Sequence, residues 1–179
     1  MSKYVAFLRA INVGGHTVKM DYLRRLFISL GFTSVETFIA SGNVIFDSTS
    51  KSSRTLEKKI ESRLLEALGY EVATFVRSIS ELADIAQHKP FPDSELSARG
   101  HALYIGFMAD EPGGKAKEKL LSLATKLDDF HLNGREVYWL CRTRFSESQI
   151  SGAMLTKALG MPATLRNSTT VKKIVAKYS

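Results

Sequence analysis

The sequence predicts an α+β protein in which one unit of strand, helix, strand, strand, helix and strand occurs twice. Apolar residues alternate with period two in short segments and recur every three or four residues in longer ones. Three of the longer segments end in Leu-Gly, which is typical of a helix C-terminus. The order of segments is that of the ferredoxin-like fold, so two such modules in tandem, each followed by an extra helix, are expected.

The first module is predicted to span residues 1–88. Its strands are expected at Tyr4–Arg9, Val35–Ile39, Asn43–Asp47 and Val72–Arg77. Two apolar stripes predict its helices, one with Met20, Leu23, Leu26, Phe27 and Leu30, the other with Leu56, Ile60, Leu64 and Leu68. Ser78 and Glu81 form a capping box, which predicts that the extra helix begins there.

A linker is predicted over 89–100, where two prolines flank Phe91, and the second module over 101–179. Its strands are expected at His101–Met108, Phe130–Leu132, Glu136–Cys141 and near Thr164, with a hairpin loop at Asn133-Gly134. One helix is predicted to begin at Pro112 and to carry Leu120, Leu123, Ala124 and Leu127. A second helix is predicted to begin at a cap formed by Ser146 and Gln149 and to end at Gly160. The last helix is predicted from an apolar stripe of Val171, Ile174, Val175 and Tyr178.

Composition narrows the class of protein. The chain has 179 residues, 44% of them apolar and 24% charged, which is typical of a globular protein with a sizeable core. No apolar run approaches the roughly 20 residues that span a bilayer, and the N-terminus lacks the features of a signal peptide. Cys141 is the only cysteine, which excludes an internal disulfide. We therefore expect a cytoplasmic protein.

Positive charge is concentrated in the second half of the chain. Residues 98–179 carry 13 basic and 7 acidic side chains, a net charge of +6, whereas residues 1–97 carry a net charge of +1. A basic half attracts anions and nucleic-acid phosphates. The alternative is a soluble surface that is basic without a bound partner.

A first candidate ligand site lies at one edge of the predicted first sheet. Right-handed crossovers bring the loop after the first strand, the middle hairpin turn and Gly69-Tyr70 to this edge. The candidate ligand-binding residues there are Arg9, Asn12, Gly14, Gly15, His16, Lys19, Ser41 and Asn43. Glycines between a strand and a helix can expose backbone N–H groups to an anion. The alternative is a tight turn that needs glycine.

A second candidate site precedes the last helix. Thr164, Arg166, Asn167, Thr170, Lys172 and Lys173 place donors at its start. Arginine there can bind phosphate or carboxylate with two hydrogen bonds. Alternatively, Asn167 or Ser168 caps the helix and the lysines are solvated.

Aromatic residues and histidines give weaker indications of a binding site. Tyr104, Tyr138, Trp139 and Arg142 fall on central strands, where RNA-binding modules carry stacking aromatics, although core packing accounts for them as well. His88, His101 and His131 are interpreted as isolated side chains. No motif predicts a metal site, a cofactor or a catalytic group.

Several of these segments resemble one protein family. The block Leu8–Gly15, Met20, Gly31-Phe32 and Ser41–Val44, with a C-terminal signature at 162–167 and 170–173, is similar to the family called domain of unknown function 1697. The resemblance covers nearly the whole chain and implies two ferredoxin-like modules without an established activity. Ala10 departs from the family where glycine is common, and Ser168 where an aromatic residue is common.

Three functions are compatible with the sequence. The first is a non-catalytic or regulatory protein that binds phosphate-bearing ligands, including nucleic acid. The second is an enzyme or sensor for a small anionic metabolite at the edge of the first module. The third is a protein interaction module.

Overall fold

Two four-stranded antiparallel sheets and seven α-helices form the mixed α+β fold of the described chain, as the sequence predicted. The structure, a computed structural model, describes residues 1–12, 15–39 and 42–179. Two compact units can be distinguished, one comprising 1–82 with 178–179 and the other 83–177. None of the helices in the described ranges is long and apolar enough to cross a membrane.

The first sheet has the strand order β2-β3-β1-β4. Its strands are β1 (Ser2–Leu8), β2 (Thr33–Thr37), β3 (Asn43–Ser48) and β4 (Thr74–Ser78). Alternate residues of β1, namely Tyr4, Ala6 and Leu8, join a buried cluster with two helices. These helices are α1 (Met20–Ser29) and α2 (Ser53–Leu68), and α3 (Ile79–Gln87) follows β4.

The second sheet has the equivalent order β6-β7-β5-β8. Its strands are β5 (Ala102–Phe107), β6 (Asp128–Asn133), β7 (Glu136–Cys141) and β8 (Thr164–Asn167). One face is covered by α5 (Gly114–Ser122) and α6 (Gly152–Leu159), whose leucines pack against Trp139. The remaining helices are α4 (Asp93–Leu96), inside the predicted linker, and α7 (Ser168–Tyr178).

Most of the predicted helix ends are confirmed. Gly69 and Gly160 have φ of +81° and +72° and donate their N–H groups to the carbonyls of Leu65 and Thr156, as left-handed caps do. At the start of α3, the Glu81 carboxylate accepts from the Ser78 N–H at 3.0 Å, and the Ser78 hydroxyl accepts from the Glu81 N–H at 3.1 Å. This reciprocal pair is the predicted capping box.

Several boundaries differ from the prediction, and three of them show how neighbouring elements shift a helix or a turn. The helix expected from Ser146 begins at Gly152, because Ser151 caps it by accepting from the Met154 N–H. The helix that was expected to include Leu127 ends at Ser122, since Asp128 already belongs to β6. In the β6–β7 hairpin, Asn133 pairs with Glu136, so the loop is Gly134-Arg135 rather than Asn133-Gly134. Gly134 has φ of +59°, and a positive φ at the first loop position suits a two-residue hairpin.

Ala10 adopts a backbone conformation that is costly for a residue with a Cβ atom. Its φ is +54°, in the left-handed region. We expect Ala10→Gly to raise the free energy of unfolding by about 0.5–1 kcal/mol, because glycine adopts this conformation without the steric penalty. Urea denaturation measures the change. Ala116→Gly inside α5 is the matched control, and we expect it to lower the free energy of unfolding by about 1 kcal/mol. Equal destabilisation by both substitutions would contradict the prediction.

Candidate functional site

A cavity of about 1060 Å³ lies in the second unit, beside the face of the second sheet opposite α5 and α6. Leu103, Ile105 and Tyr138 line it from the sheet. The rest of the lining comes from residues 83 and 85–89 at the end of α3 and just after it, from several residues of 93–102, and from Asn167 with one face of α7. Small-molecule sites typically have volumes of about 300–1,000 Å³, so the cavity can hold a metabolite of ordinary size.

The sheet register places the start of α7 at this cavity. Strand β8 runs antiparallel to β5 and its last residue, Asn167, lies opposite Tyr104. The Asn167 side-chain oxygen accepts a hydrogen bond from the Thr169 N–H at 2.9 Å, and α7 begins at Ser168. Ser168 and Lys172 line the cavity because residues four apart share one face of a helix.

His88 and Tyr138, which line the cavity, form a cluster with His131, which is not part of the lining. His131 and Tyr138 are cross-strand partners and therefore share one face of the sheet. The His88 ring lies 5.1 Å from the Tyr138 ring and 5.4 Å from that of His131, centroid to centroid, and the two imidazoles are stacked. The Tyr138 hydroxyl donates to the Ile85 carbonyl at 2.9 Å, which holds the end of α3 against the sheet. The interpretation of His88 and His131 as isolated was wrong, because the contact joins the residue after α3 to β6 across 43 residues of sequence.

Several charged groups surround the cavity. The Lys89 ammonium lies 3.1 Å from the Asp93 carboxylate, so these two charges compensate each other. Lys172 is exposed on α7, and among the described residues it has no ion-pair partner. His101 is held by the Glu95 carbonyl, which lies 2.8 Å from its Nδ1. The cavity therefore has a net positive charge before any histidine is protonated.

One buried atom at the cavity lacks a hydrogen bond. Nε2 of His88 is inaccessible to solvent and has no partner within the described ranges. A buried polar atom without a partner costs about 1–3 kcal/mol. Because solvent does not reach this nitrogen, a ligand in the open cavity would not contact it in this structure. Among all the residues that the structure describes, no group of three or more His, Cys, Asp or Glu side chains is placed to hold a metal ion.

The predicted edge of the first unit does bring distant segments together. The Leu8 N–H donates to the Gly42 carbonyl at 2.8 Å, and the Tyr70 hydroxyl donates to the Ile11 carbonyl at 3.0 Å. His16 is exposed and stacks on Tyr70, with the ring centroids 4.0 Å apart. Gly14 and Ser41, two of the candidate ligand-binding residues, lie outside the described residues.

The other candidates at this edge have observed structural roles. The Asn12 side chain accepts from the Val18 N–H at 2.8 Å, and the buried Asn43 amide donates to the Phe38 carbonyl at 3.0 Å. The Arg9 N–H donates to the Ala73 carbonyl, and Lys19 precedes the first turn of α1. Gly15 has φ of +84°, as a tight turn requires. A ligand at this edge stays a prediction.

The C-terminal candidates separate into two groups. Asn167 lines the cavity and also caps α7, which confirms the capping alternative. Arg166 lies one residue earlier, where its Nη1 donates to the Thr164 hydroxyl at 2.8 Å and to the Leu165 carbonyl at 3.0 Å. Burial lowers the pKa of Arg166 to about 10. Within the described ranges, the cavity lining does not include four of the candidates: Thr164, Arg166, Thr170 and Lys173.

The aromatic residues of the central strands belong to the core. Tyr138 and Trp139 are fully buried, and the indole N–H of Trp139 donates to the Asp128 carboxylate at 2.9 Å. The Arg142 guanidinium binds Glu95, with Nε 2.9 Å from the carboxylate. Core packing of these two aromatic side chains is thus confirmed, and neither is available to stack on a nucleic-acid base.

Comparison with known proteins assigns the family. The family described as "Protein of unknown function (DUF1697)" matches residues 1–138. The chain belongs to this family. The match ends before the C-terminal segment 162–173, so it is shorter than the resemblance over nearly the whole chain that the sequence suggested.

A solved structure shares the fold of this family member. It is that of the conserved bacterial protein SP0830 from Streptococcus pneumoniae, at a TM-score of 0.78 and 23% sequence identity. The similarity covers 99% of this chain and 98% of that one. No curated protein sequence matches the chain.

The histidine cluster predicts a pH dependence of stability. Burial lowers the pKa of His131, and the neighbouring His88 and Lys117 lower it further. As the pH falls below about 6.5, the unfolded chain protonates this histidine before the native protein does, so the free energy of unfolding decreases. Urea denaturation between about pH 7.5 and pH 5 measures the slope.

We expect His131→Phe to reduce that slope, because phenylalanine keeps the ring but does not titrate. His16→Phe, on the exposed His16 of the first unit, is the matched control for the substitution, and the change of slope in His131→Phe should exceed the change in His16→Phe. An unchanged slope in His131→Phe would assign the pH dependence to other groups.

Proposed function

We propose that this protein is a non-catalytic or regulatory protein that binds a small phosphate-bearing ligand in the cavity of the second unit. One observation carries the proposal: the cavity places the exposed Lys172, which has no protein partner among the described residues, beside the start of α7. The net charge of +6 over 98–179 supports an anionic ligand.

The start of α7 adds donors for an oxyanion. The first turn of a helix carries backbone N–H groups without intrahelical partners and a partial positive charge. The Asn167 side chain accepts a hydrogen bond from the N–H of Thr169, and Ser168 and Thr169 line the cavity. A phosphate placed here would receive hydrogen bonds from α7 and a positive charge from Lys172.

A small ligand is favoured over nucleic acid. The basic second half would attract either partner. Stacking recognition of single strands needs exposed aromatic faces, whereas Tyr138 and Trp139 are fully buried. A cavity suits a compact molecule better than a polymer.

A ligand screen tests the proposal. Thermal-shift measurements with nucleotides, sugar phosphates and carboxylates should show stabilisation by at least one phosphate compound. A ligand at about 100 times its Kd stabilises by about 2.7 kcal/mol. Lys172→Ala should weaken binding by about 10-fold, as expected when a charged hydrogen bond is lost. Lys173→Ala removes the same charge from the neighbouring exposed position outside the cavity lining, and it should leave the affinity nearly unchanged.

Two outcomes would overturn the proposal. One is the absence of a shift with every phosphate compound. The other is tight binding of oligonucleotides that Lys172→Ala and Lys173→Ala weaken equally. The affinity for such a partner would fall with salt concentration, with a log–log slope of about −0.7 to −0.9 per phosphate contact.

We further propose that the two units are ferredoxin-like modules that arose by duplication. Their strand orders are equivalent, and Val5 pairs with Arg77 as Ile105 pairs with Arg166. Both arginines donate from Nη1 to the carbonyl of the preceding residue at 3.0 Å, and in both units a capped helix follows. The segment Tyr4-Val5-Ala6-Phe7-Leu8 corresponds to Tyr104-Ile105-Gly106-Phe107-Met108. In this proposal the module boundaries remain 1–88 and 101–179, with 89–100 between them.

A further inference from the structure

The lining of the cavity changes from polar to apolar along α7. Ser168, Thr169 and Lys172 line it from the first turns of the helix. Val175 and Ala176 line it from the later turns. Because residues three or four apart share one face of a helix, both kinds of surface belong to a single wall. Ser168 and Ala176 are about 12 Å apart along the helix axis at the usual rise per residue.

The other walls of the cavity add aliphatic surface. Their side chains include Ala83, Ile85, Ala86, Leu96, Leu103 and Ile105. None of these side chains has a polar atom that could bind a hydroxyl group of a ligand. In the described lining, Tyr138 is the only aromatic ring other than the imidazoles, and it is fully buried. A nucleobase would therefore find no tyrosine, phenylalanine or tryptophan face on which to stack.

Building on the proposed function, we infer that the ligand is a soluble phosphate monoester of an aliphatic alcohol. Its phosphate lies at the start of α7 beside Lys172, and its carbon chain lies against Val175 and Leu103. Removing such a chain from water is favourable. A sugar or a nucleoside would instead lose water from its hydroxyl groups without gaining hydrogen bonds from the aliphatic walls.

The distribution of exposed apolar side chains favours a ligand taken from solution over a lipid in a membrane. Among the described residues, none of the large apolar side chains that are exposed to solvent lies in the cavity lining. Leu96, Leu103 and Val175 are half-buried. A surface that binds a bilayer presents large apolar side chains to it, whereas these three face the inside of a cavity that has room for a single small molecule.

Calorimetry of the full chain with methyl, propyl and hexyl phosphate tests the inference. At about pH 7.5 most of each ester is a dianion, so the three ligands differ only in chain length. We expect the affinity to rise about 4-fold for each CH2 group that the cavity buries, which corresponds to about 0.8 kcal/mol. Glycerol 3-phosphate has the three carbons of propyl phosphate with two added hydroxyl groups, and it should bind more weakly than propyl phosphate.

Two variants divide the site into its two parts. Val175→Thr keeps the branched shape but replaces a methyl group with a hydroxyl. It should weaken the binding of hexyl phosphate by about 4-fold and leave that of methyl phosphate unchanged. Lys172→Ala should weaken both esters by the same factor, because both place their phosphate beside this lysine.

Ile28→Thr is the control for the loss of a branched apolar side chain. Ile28 is exposed on α1 and lies outside the cavity lining, so both affinities should stay unchanged. If Val175→Thr fails to fold, the chain-length series on the natural protein still tests the inference.

The outcomes separate this inference from the proposed function. An affinity that does not depend on chain length, or tighter binding of glycerol 3-phosphate than of propyl phosphate, overturns the aliphatic ligand and leaves the phosphate site in place. Binding to vesicles that contain phosphatidic acid, without binding of hexyl phosphate in solution, overturns the soluble ligand. Equal affinity for hexanol and hexyl phosphate overturns the phosphate and the proposed function with it. If none of the three esters binds, the inference is overturned and the wider phosphate screen decides the proposed function.

Discussion

Replacing Asp128 with alanine is expected to lower the free energy of unfolding by about 3–5 kcal/mol, since it removes the acceptor of a buried hydrogen-bond network. Asp128 is 1% exposed, and its Oδ1 accepts from the Trp139 indole at 2.9 Å and from the Ser148 hydroxyl at 2.8 Å. Oδ2 accepts from the Thr125 hydroxyl at 3.0 Å. Without the carboxylate, the fully buried indole N–H has no acceptor.

Thermal unfolding measures this loss, which corresponds to a decrease in Tm of roughly 10 °C for a chain of this size. Asp129→Ala is the control. That carboxylate is 40% exposed and lies 3.5 Å from the Arg142 guanidinium, a surface pair expected to contribute at most about 1 kcal/mol. Similar losses in the two variants would show that the network around Trp139 contributes little.

The same network explains why one predicted helix started in the wrong place. Ser146 and Gln149 have the spacing of a capping box, and sequence alone favours a helix from there. In the structure, the Ser148 hydroxyl binds Asp128, which lies 20 residues earlier, and the chain forms only a 3-10 turn at Phe145–Glu147. A tertiary hydrogen bond thus overrides the local signal, and the helix begins at the next serine cap, Ser151.

Structural elements that depend on residues close together in the sequence were predicted well. The capping box at Ser78 and the caps at Gly69 and Gly160 depend on contacts within five residues of sequence. The positions of the strands along the chain followed from the alternation of apolar residues. Both kinds of information are present in a single sequence.

The cavity had no such local signal. Two of its lining residues, His88 after α3 and Tyr138 on β7, lie 50 positions apart in the sequence and are in ring contact. His131 on β6 joins them outside the lining. Each of these residues is unremarkable beside its neighbours in sequence. The sheet register makes them adjacent, and the unpaired Nε2 of His88 becomes visible only when its surroundings are known.

Arg166→Ala is expected to destabilise the protein by about 2–4 kcal/mol and to leave phosphate binding unchanged. Arg166 lies on the cavity face of β8, opposite Ile105, but the cavity lining does not include it among the described residues. Its Nη1 instead donates to the Thr164 hydroxyl at 2.8 Å and to the Leu165 carbonyl at 3.0 Å. Burial lowers the pKa of Arg166 to about 10, so the guanidinium remains charged at neutral pH.

The two roles considered for Arg166 predict different results. If it held the ligand, Arg166→Ala would abolish binding with little change in Tm, and Arg166→Lys would keep part of the affinity through its charge. If it fixes β8 and the start of α7, Arg166→Lys also destabilises, because lysine lacks the planar group that reaches two acceptors at once. Urea denaturation and phosphate titration of both variants therefore decide between them. The hydrogen bonds to Thr164 and Leu165 favour the structural role, since a group held within its own strand is not free to turn toward a ligand.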